Sequence, residues 1–343
     1  HGAAQSMAYA VTVAGVLQLG FLILFALRAK MLPGLVRPRL GPDMRQLLKL
    51  MGPGVIGGGV MQINLMIDTI LASLLASGAI SWLFYADRLY QLPLGVIGIA
   101  IGTALLPGLS KAMSAGRQED ATRLLSRALE FGLLLALPAA LGLAIASGPI
   151  IGALFQYGQF DADDTAQTAM ALSAYAIGIP AYVGVKVMNA AYFARQDTLS
   201  PVKIAVICTV INTIGSLILI QFMGHAGIAL ATGITAWLNM TLLARGLRKA
   251  GHFTLDDRFK QRFPKIVIAG LIMALVLVGA VFTAGPHGAD LNVAANAVSR
   301  IGWMLGLIAL GVLAYGASAL LIGAGHWREI TAGLRKPPAS PSA

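Results

Sequence analysis

The sequence predicts an all-α protein, a polytopic bundle of transmembrane helices. Its composition is strongly apolar, because 57% of the residues are hydrophobic and only 11% are charged. The apolar residues also form continuous runs of about 20 residues or more, which is the length an α-helix needs to cross the ~30 Å hydrocarbon core. Outer-membrane barrels show short alternating strands instead. A continuous apolar run satisfies its own backbone hydrogen bonds in a membrane only as a helix.

About nine such runs follow one another along the chain and leave no room for a soluble domain. They lie at roughly residues 7–28, 53–77, 80–109, 129–150, 166–193, 202–223, 226–246, 265–284 and 301–323. An odd number of spans places the two ends of the chain on opposite sides of the membrane.

The basic residues predict the orientation of these spans. Of the 25 lysines and arginines, all except Arg88, Lys186 and Arg300 lie at alternate connections or in the C-terminal tail. Positively charged connections stay in the cytoplasm, so we expect a cytoplasmic C-terminus and a residue 1 that lies outside. An outside start further predicts an odd number of helices upstream of residue 1. The net charge of +11 is explained by this topology, and no nucleic-acid partner is predicted.

No catalytic constellation is recognisable in the sequence. The five histidines are dispersed over ends and loops, without the spacing that a zinc site requires. The glycine-rich segment GPGVIGGGV at 52–60 lacks the Gly-Lys-Ser/Thr ending of a phosphate loop, and close helix packing explains it better. We therefore expect neither enzymatic activity nor a cofactor.

Two adjacent charged residues, Asp87 and Arg88, interrupt the apolar stretch ISWLFYADRLYQLPLG at 80–95. A charged side chain inside a membrane is costly and usually marks a pathway for a substrate or an ion. Neighbouring residues point about 100° apart on a helix, so the two cannot simply neutralise each other. Arg88 could face a polar cavity, or it could extend past the nearby aromatic side chains to the membrane surface.

Two further residues bear on this region. Pro93 predicts a kinked or locally unwound helix, as in transporters where irregular backbone lines a cavity, and it is the candidate hinge. Lys186 lies inside another span and either snorkels to the surface or provides a second cation. Arg88 and Lys186 could offer an anionic substrate one contact in each half of the membrane. Arg88, Asp87 and Lys186 are therefore the candidate substrate-binding residues.

A second group of polar residues has the spacing of a candidate cation site, in three pairs four positions apart. The pairs are Asn64 and Asp68, Asn212 and Ser216, and Ile228 and Thr232. Residues four apart share a helix face, and side-chain oxygens that converge with backbone carbonyls could hold a hard cation such as sodium. Ordinary hydrogen bonding between helices is the alternative. The charge of Asp68 requires a counter-ion, and Arg88 could provide it in one conformational state.

Three segments of the sequence are characteristic of one family. They are FYADRLYQLPLGVIGIAIGTALLPGLSK from 84, LFQYGQF at 154–160 and AAYFARQDTLSPVKI from 190. They resemble the MurJ (MviN) family of lipid II flippases, which belongs to the multidrug/oligosaccharidyl-lipid/polysaccharide exporter (MOP) superfamily. The resemblance implies fourteen helices in two lobes with both termini in the cytoplasm. This chain would then carry helices six to fourteen.

The same resemblance implies a division of the chain into six parts. Residues 1–31 would be the last helix of the first lobe, 32–52 a basic cytoplasmic linker between the lobes, 53–250 the second lobe of six helices, 251–264 a cytoplasmic loop, 265–323 two additional C-terminal helices that form a groove for the lipid tail, and 324–343 a cytoplasmic tail.

The resemblance also implies a function in cell wall biogenesis. Members of the family carry lipid II, the undecaprenyl-pyrophosphate-linked disaccharide pentapeptide, from the inner to the outer leaflet of the bacterial cytoplasmic (inner) membrane by alternating access. Peptidoglycan synthesis and cell shape depend on this transport. Arg88 matches the family's central-cavity arginine, which is expected to meet the pyrophosphate.

For ion coupling, the resemblance is incomplete. Asp68 aligns with an acidic residue of a sodium site described in some members, and Asn212, Ile228 and Thr232 fall near its other positions. Ser216 stands where an aspartate would complete that site. Coupling to a proton or to the membrane potential therefore stays open beside sodium coupling.

Two other classes of function stay open. One is a related MOP-type drug or polysaccharide exporter, and the other is a non-transporting membrane scaffold of the cell-wall machinery. Apart from lipid II, membrane lipids are the expected partners, and the sequence predicts no oligomeric state.

Overall fold

The fold is described from a computed structural model, for residues 2–29, 41–283 and 297–324. All regular secondary structure in these ranges is α-helical. The chain forms two compact units, His1–Lys49 and Leu50–Ala343. The first unit contains α1 (Gly2–Arg28), and α2 (Pro42–Ser73) runs from the first unit into the second.

The second unit continues with nine more helices in the described ranges. They are α3 (Ala79–Ser114), α4 (Gln118–Ile145), α5 (Ser147–Phe155), α6 (Ala162–Ala176), α7 (Ile179–Ala194), α8 (Leu199–Met223), α9 (His225–Lys249), α10 (Asp257–Thr283) and α11 (Ala297–Leu321). These helices follow the predicted apolar runs closely, which confirms the polytopic helix bundle.

Seven helices of the described residues are long and apolar enough to cross a membrane, namely α1, α3, α4, α8, α9, α10 and α11. Helices α6 and α7 meet at an angle of 41° and could form one further, broken span. The predicted run 166–193 is therefore two helices. The break coincides with Gly178, where a Cβ atom would stand only 2.9 Å from the Cα of Gly233 on α9. Helix α2, which contains most of the predicted run 53–77, is not among the seven.

The connections of the second unit gather at two opposite ends. At one end, His252 receives a hydrogen bond from Arg195 on its carbonyl oxygen (3.4 Å), and its Nδ1 lies 3.2 Å from Nε2 of Gln118. These contacts join the α3–α4, α7–α8 and α9–α10 connections, which are the basic ones. Arg195 is also partly desolvated there, and its pKa is lowered by this burial.

At the other end, Trp82 at the start of α3 donates a hydrogen bond from Nε1 to Asp164 at the start of α6 (2.7 Å). Its ring packs over Gly78, whose φ of 105° favours glycine. His225 at the start of α9 lies with Nε2 2.8 Å from the carbonyl oxygen of Gln167. The spans between the two ends therefore alternate in direction, as the distribution of basic residues predicts, and α6 and α7 run in the same direction as two parts of one path.

Helices α10 and α11 pack against each other and against α4. Tyr315 on α11 donates a hydrogen bond to the carbonyl oxygen of Leu134 on α4 (2.8 Å), and Ser318 donates one to Ala269 on α10 (3.3 Å). Helix α10 begins at Asp257, earlier than the apolar run, because Asp256 Oδ1 accepts the backbone N–H groups of the first turn. The second half of the segment 251–264 is therefore helical.

Candidate functional site

Arg88 lies on the exposed side of α3 and forms no ion pair with the described part of the protein. No carboxylate of these residues lies within 4.0 Å of its guanidinium nitrogens. The guanidinium carbon instead lies 4.7 Å from the centre of the Phe84 ring, one turn earlier on α3, a cation–π contact. The N–H groups of the guanidinium are thus available to an anion from outside this unit.

Asp87 is half-buried and is held apart from Arg88. Its Oδ2 accepts a hydrogen bond from Nε2 of Gln91, one turn further along α3. The two charges therefore do not form a pair with each other, in agreement with their divergent directions on the helix. Gln91 was not among the candidate residues, although its i+4 spacing from Asp87 is the sequence signal for such a bond.

Lys186 on α7 reaches across to α3. Its ammonium donates a hydrogen bond to the carbonyl oxygen of Leu94 (3.2 Å), and its side chain lies over Gly98, where a Cβ atom would overlap it. Asp87, Gln91, Leu94 and Gly98 repeat at the spacing of one helix face. Lys186 therefore lies beside the face of α3 that carries Asp87 and Gln91, about 9 Å from Arg88 along the helix axis.

Helix α3 is continuous from Ala79 to Ser114. The local unwinding considered for Pro93 is therefore not seen. The proline ring nevertheless leaves the carbonyl oxygen of Leu89 without an N–H group from position 93. Pro93 lies between Gln91 and Leu94, in the stretch that contacts Lys186.

The second candidate site forms where α2 meets α8. Asp68 is 9% exposed and Asn212 is 2% exposed. Nδ2 of Asn212 donates to Oδ1 of Asp68 (3.3 Å) and to Oδ1 of Asn64 (3.1 Å), and Nδ2 of Asn64 donates to Oδ2 of Asp68 (3.2 Å). The structure thus brings together three of the six predicted residues in one hydrogen-bonded group.

The other three predicted residues lie nearby on α8 and α9. Ser216 is fully buried one turn after Asn212. Helices α8 and α9 pack closely at this level, since a Cβ atom on Gly215 would contact Ala231 at 3.6 Å. This contact places Thr232, next to Ala231, beside the level of Ser216. The hydroxyl of Thr232 donates within its own helix to the carbonyl oxygen of Ile228 (2.9 Å).

Two buried oxygen atoms of this site have no hydrogen-bond partner among the described residues. They are Oδ1 of Asn212 and Oγ of Ser216. Buried polar atoms of this kind normally have a partner. Asn212 contacts the Asp68 carboxylate, and Ser216 follows Asn212 by one turn on α8. Oxygen atoms of these kinds are the ligands that hard cations prefer. The residues therefore fit a small cation next to Asp68. Arg88 does not provide the counter-ion of Asp68 in this conformation.

Three tyrosines that sequence reasoning missed pack in the core of the second unit. The rings of Tyr175 and Tyr182 lie 4.9 Å and 5.9 Å from the ring of Tyr90 and are nearly parallel to it. Tyr90 stands one turn after Asp87, and Tyr182 donates a hydrogen bond to the carbonyl oxygen of Thr232 (3.4 Å). The tyrosines therefore connect the helix of Asp87 to the helix of Thr232. The sequence signal that could have identified them is the presence of polar aromatic residues within the predicted spans.

Comparison with known proteins agrees with this fold. A family model described as lipid II flippase MurJ matches residues 1–288. The probable lipid II flippase MurJ of Rhizobium meliloti (strain 1021) is 41% identical over 318 residues, which are 92% of this chain and 58% of that protein. The corresponding protein of Vibrio cholerae serotype O1 is 35% identical over 320 residues, 92% of this chain and 59% of its own length. The chain thus spans a little more than half the length of these curated relatives.

Two solved structures of membrane transporters have a fold similar to that of this chain. A lipid II flippase MurJ in an inward closed conformation matches with a TM-score of 0.66 and 28% identity, over 86% of this chain and 57% of that chain. An outward-facing MATE family multidrug resistance transporter of the MOP superfamily matches with a TM-score of 0.52 and 18% identity, over 81% of this chain and 63% of that chain, which is a likeness of fold alone. Because the family model covers most of its length, the chain belongs to the MurJ family of lipid II flippases.

Proposed function

We propose that the protein containing this chain carries lipid II from the inner to the outer leaflet of the bacterial cytoplasmic membrane by alternating access. Membership of the MurJ family supports this proposal. The observation that carries it is the guanidinium of Arg88, which lies at predicted membrane depth and has no carboxylate of the described residues within 4.0 Å. A charge in this position is costly, and a ligand anion would offset the cost.

The pyrophosphate of lipid II is the matching anion. A guanidinium presents its N–H groups as a planar fork that binds two phosphate oxygens at once. The hydrogen bond from Gln91 keeps the Asp87 carboxylate occupied on another face of α3, so that it does not compete for Arg88. Lys186 provides a second positive charge on the α7 side. The role we propose is therefore transport, with a cytoplasmic C-terminus and without catalytic chemistry.

Complementation tests the proposed substrate. Cells depleted of their own lipid II flippase receive the intact protein, and their growth and the amount of lipid II accessible at the outer leaflet are measured. We expect both to be restored. A MATE family exporter at equal membrane abundance is the control and should restore neither. Failure of the intact protein at good abundance would instead favour a related exporter with another solute.

Lys186 provides a second test of the substrate pathway. Replacing Lys186 with methionine removes the charge but keeps most of the side-chain length, and we expect lipid II flipping to fall by about tenfold, since a charge-assisted hydrogen bond contributes ~1.5 kcal/mol or more. Gly98→Ala should act in the same direction, because the added Cβ displaces the Lys186 side chain. Lys203→Met, an exposed position on α8, is the matched control. Unchanged flipping in the two test variants would assign Lys186 to helix packing.

We also propose that Asp68 takes up a small cation during the transport cycle. Its carboxylate is buried, and its two hydrogen-bond partners among the described residues are the neutral amides of Asn64 and Asn212. Transfer of an ionised carboxylate to such a place is unfavourable unless a positive charge accompanies it. Sodium and a proton are the two candidates, and the oxygen atoms of Asn212 and Ser216 that lack partners favour sodium.

The apparent melting temperature of the purified protein distinguishes the two ions. Sodium at ten times its dissociation constant should stabilise the protein by about 1.4 kcal/mol relative to potassium at equal ionic strength, a rise of roughly 2–4 °C. Asp68→Asn should remove this rise, whereas Asp163→Asn, the same change at an exposed position, should not. If the melting temperature responds to pH instead of sodium, and does so only in the protein with Asp68 intact, the cation that Asp68 takes up is a proton. No response to either ion would leave hydrogen bonding between helices as the role of Asp68.

A further inference from the structure

A basic concavity lies at the turn between α3 and α4, away from both sites described above. Its volume is about 290 Å³, and its lining includes Lys111 on α3, Arg117 in the turn, and Asp120, Arg123 and Arg127 on α4. Four cations therefore face one carboxylate. The turn belongs to the end of the second unit that the distribution of basic residues predicts to be cytoplasmic.

Two of these four cations are already paired. Arg117 lies 3.4 Å from Asp120, and Arg123 lies 3.8 Å from Glu119. Lys111 and Arg127 have no carboxylate within 4.0 Å in the part of the chain that the structure describes. The concavity therefore contains two charges that its own side chains do not neutralise.

The position of the concavity determines what kind of anion can reach it. It is lined by the last turns of α3 and the first turns of α4, and both helices are long and apolar enough to cross the membrane. Leu106 on α3, just before the concavity, is exposed. Two lining residues on α3, Gly108 and Ala112, have little or no side chain. A lipid whose phosphate group binds there could place its acyl chains along the exposed part of α3.

We propose that this concavity binds the phosphodiester head group of an anionic membrane phospholipid in the cytoplasmic leaflet. Lys111 and Arg127 contact the phosphate oxygens, and Arg117 and Arg123 add to the local positive potential. Basic pockets between transmembrane helices are suited to such head groups. The positive-inside rule requires only that charges lie on this side, and it does not require four of them to line one concavity. The proposal does not depend on lipid II being the transported substrate.

Lipid retention tests the site. The intact protein is reconstituted in nanodiscs of phosphatidylcholine and phosphatidylglycerol at 3:1, released into mild detergent, and its bound phosphatidylglycerol is titrated by native mass spectrometry. The double variant Lys111→Gln/Arg127→Gln should lower the affinity for phosphatidylglycerol roughly 30-fold, from about 1 kcal/mol for each basic residue. Arg127→Lys, which keeps the charge, should retain most of the affinity.

The matched control is Arg245→Gln/Lys249→Gln, which removes two exposed charges from the same end of the second unit without touching the concavity. This variant should bind phosphatidylglycerol as the parent protein does. An equal loss in both double variants would mean diffuse attraction to the membrane surface and would overturn the proposal. Displacement of the lipid by millimolar inorganic phosphate would identify a site for free phosphate and would overturn it as well.

Discussion

Replacing Arg88 with alanine is expected to lower lipid II flipping by the intact protein at least 100-fold while leaving its abundance in the membrane unchanged. Two charge-assisted hydrogen bonds to phosphate contribute about 3 kcal/mol or more when both are lost, which corresponds to a factor of more than 100. The Arg88 side chain is exposed and contacts the ring of Phe84, so its removal should cost less than about 1 kcal/mol of stability. Flipping is measured as the lipid II accessible at the outer leaflet of depleted cells.

Arg88→Lys separates charge from geometry at this position. Lysine keeps the positive charge but cannot present the planar fork, so we expect an intermediate rate. Arg245→Ala, at an exposed position near the end of α9, is the control and should flip lipid II normally. If Arg88→Ala flips lipid II at the parental rate, Arg88 is a residue that extends to the membrane surface. Full cell-wall synthesis with an Arg88→Ala variant that no longer flips lipid II would favour the scaffold alternative.

Most of the helical architecture could be predicted from the sequence because long apolar runs have one stable conformation in a membrane. The broken span at 166–193 was not predicted, although its sequence has a local signal. Pro180 lies in the first turn of α7 and has no N–H group for the carbonyl oxygen of Ala176, the last residue of α6. The close approach of Gly178 to Gly233 of α9 could not be predicted in this way, because it joins residues more than fifty positions apart.

The two candidate sites differ in how far the sequence predicts them. The spacing of Asn64 and Asp68 predicts a shared helix face, and the structure has the hydrogen bond between them. Their contact with Asn212, on α8, depends on helix packing. The polar spacing and the family resemblance both grouped the three residues in one candidate site, but neither predicted which atoms would meet. The sequence did not predict the contact of the Lys186 ammonium, because a long side chain can reach several groups from one backbone position. In the structure it donates to the carbonyl oxygen of Leu94.

The sequence did not predict the group of ion pairs between α4 and α10. Glu130 on α4 has a side chain that is only 9% exposed; its Oε1 lies 2.7 Å from Nη1 of Arg262 and its Oε2 lies 3.3 Å from Nε of Arg258. In the sequence, these two arginines served only to predict the orientation of the spans. The partner that holds them lies 128 positions earlier than Arg258, at the edge of a predicted span.

Replacing Glu130 with alanine is expected to destabilise the protein by about 3–5 kcal/mol, because it removes the buried carboxylate that contacts both Arg258 and Arg262. Arg262, at 14% exposure, cannot easily turn to water, whereas Arg258, at 37%, can do so in part. The apparent melting temperature in detergent measures the loss. Glu119→Ala removes the same charge from an exposed pair on the same helix and should cost less than about 1 kcal/mol.

The location of the loss can be predicted as well. Helix α10 is joined to α4 by these ion pairs and α11 packs on both, so Glu130→Ala should open the α9–α10 connection to limited proteolysis near residues 251–256 before the rest of the second unit melts. The double variant Glu130→Met/Arg262→Met replaces the closer ion pair with apolar groups and should recover part of the stability. If Glu130→Ala melts at the same temperature as Glu119→Ala, the ion pairs contribute no net stability, and apolar packing alone holds α10 on α4.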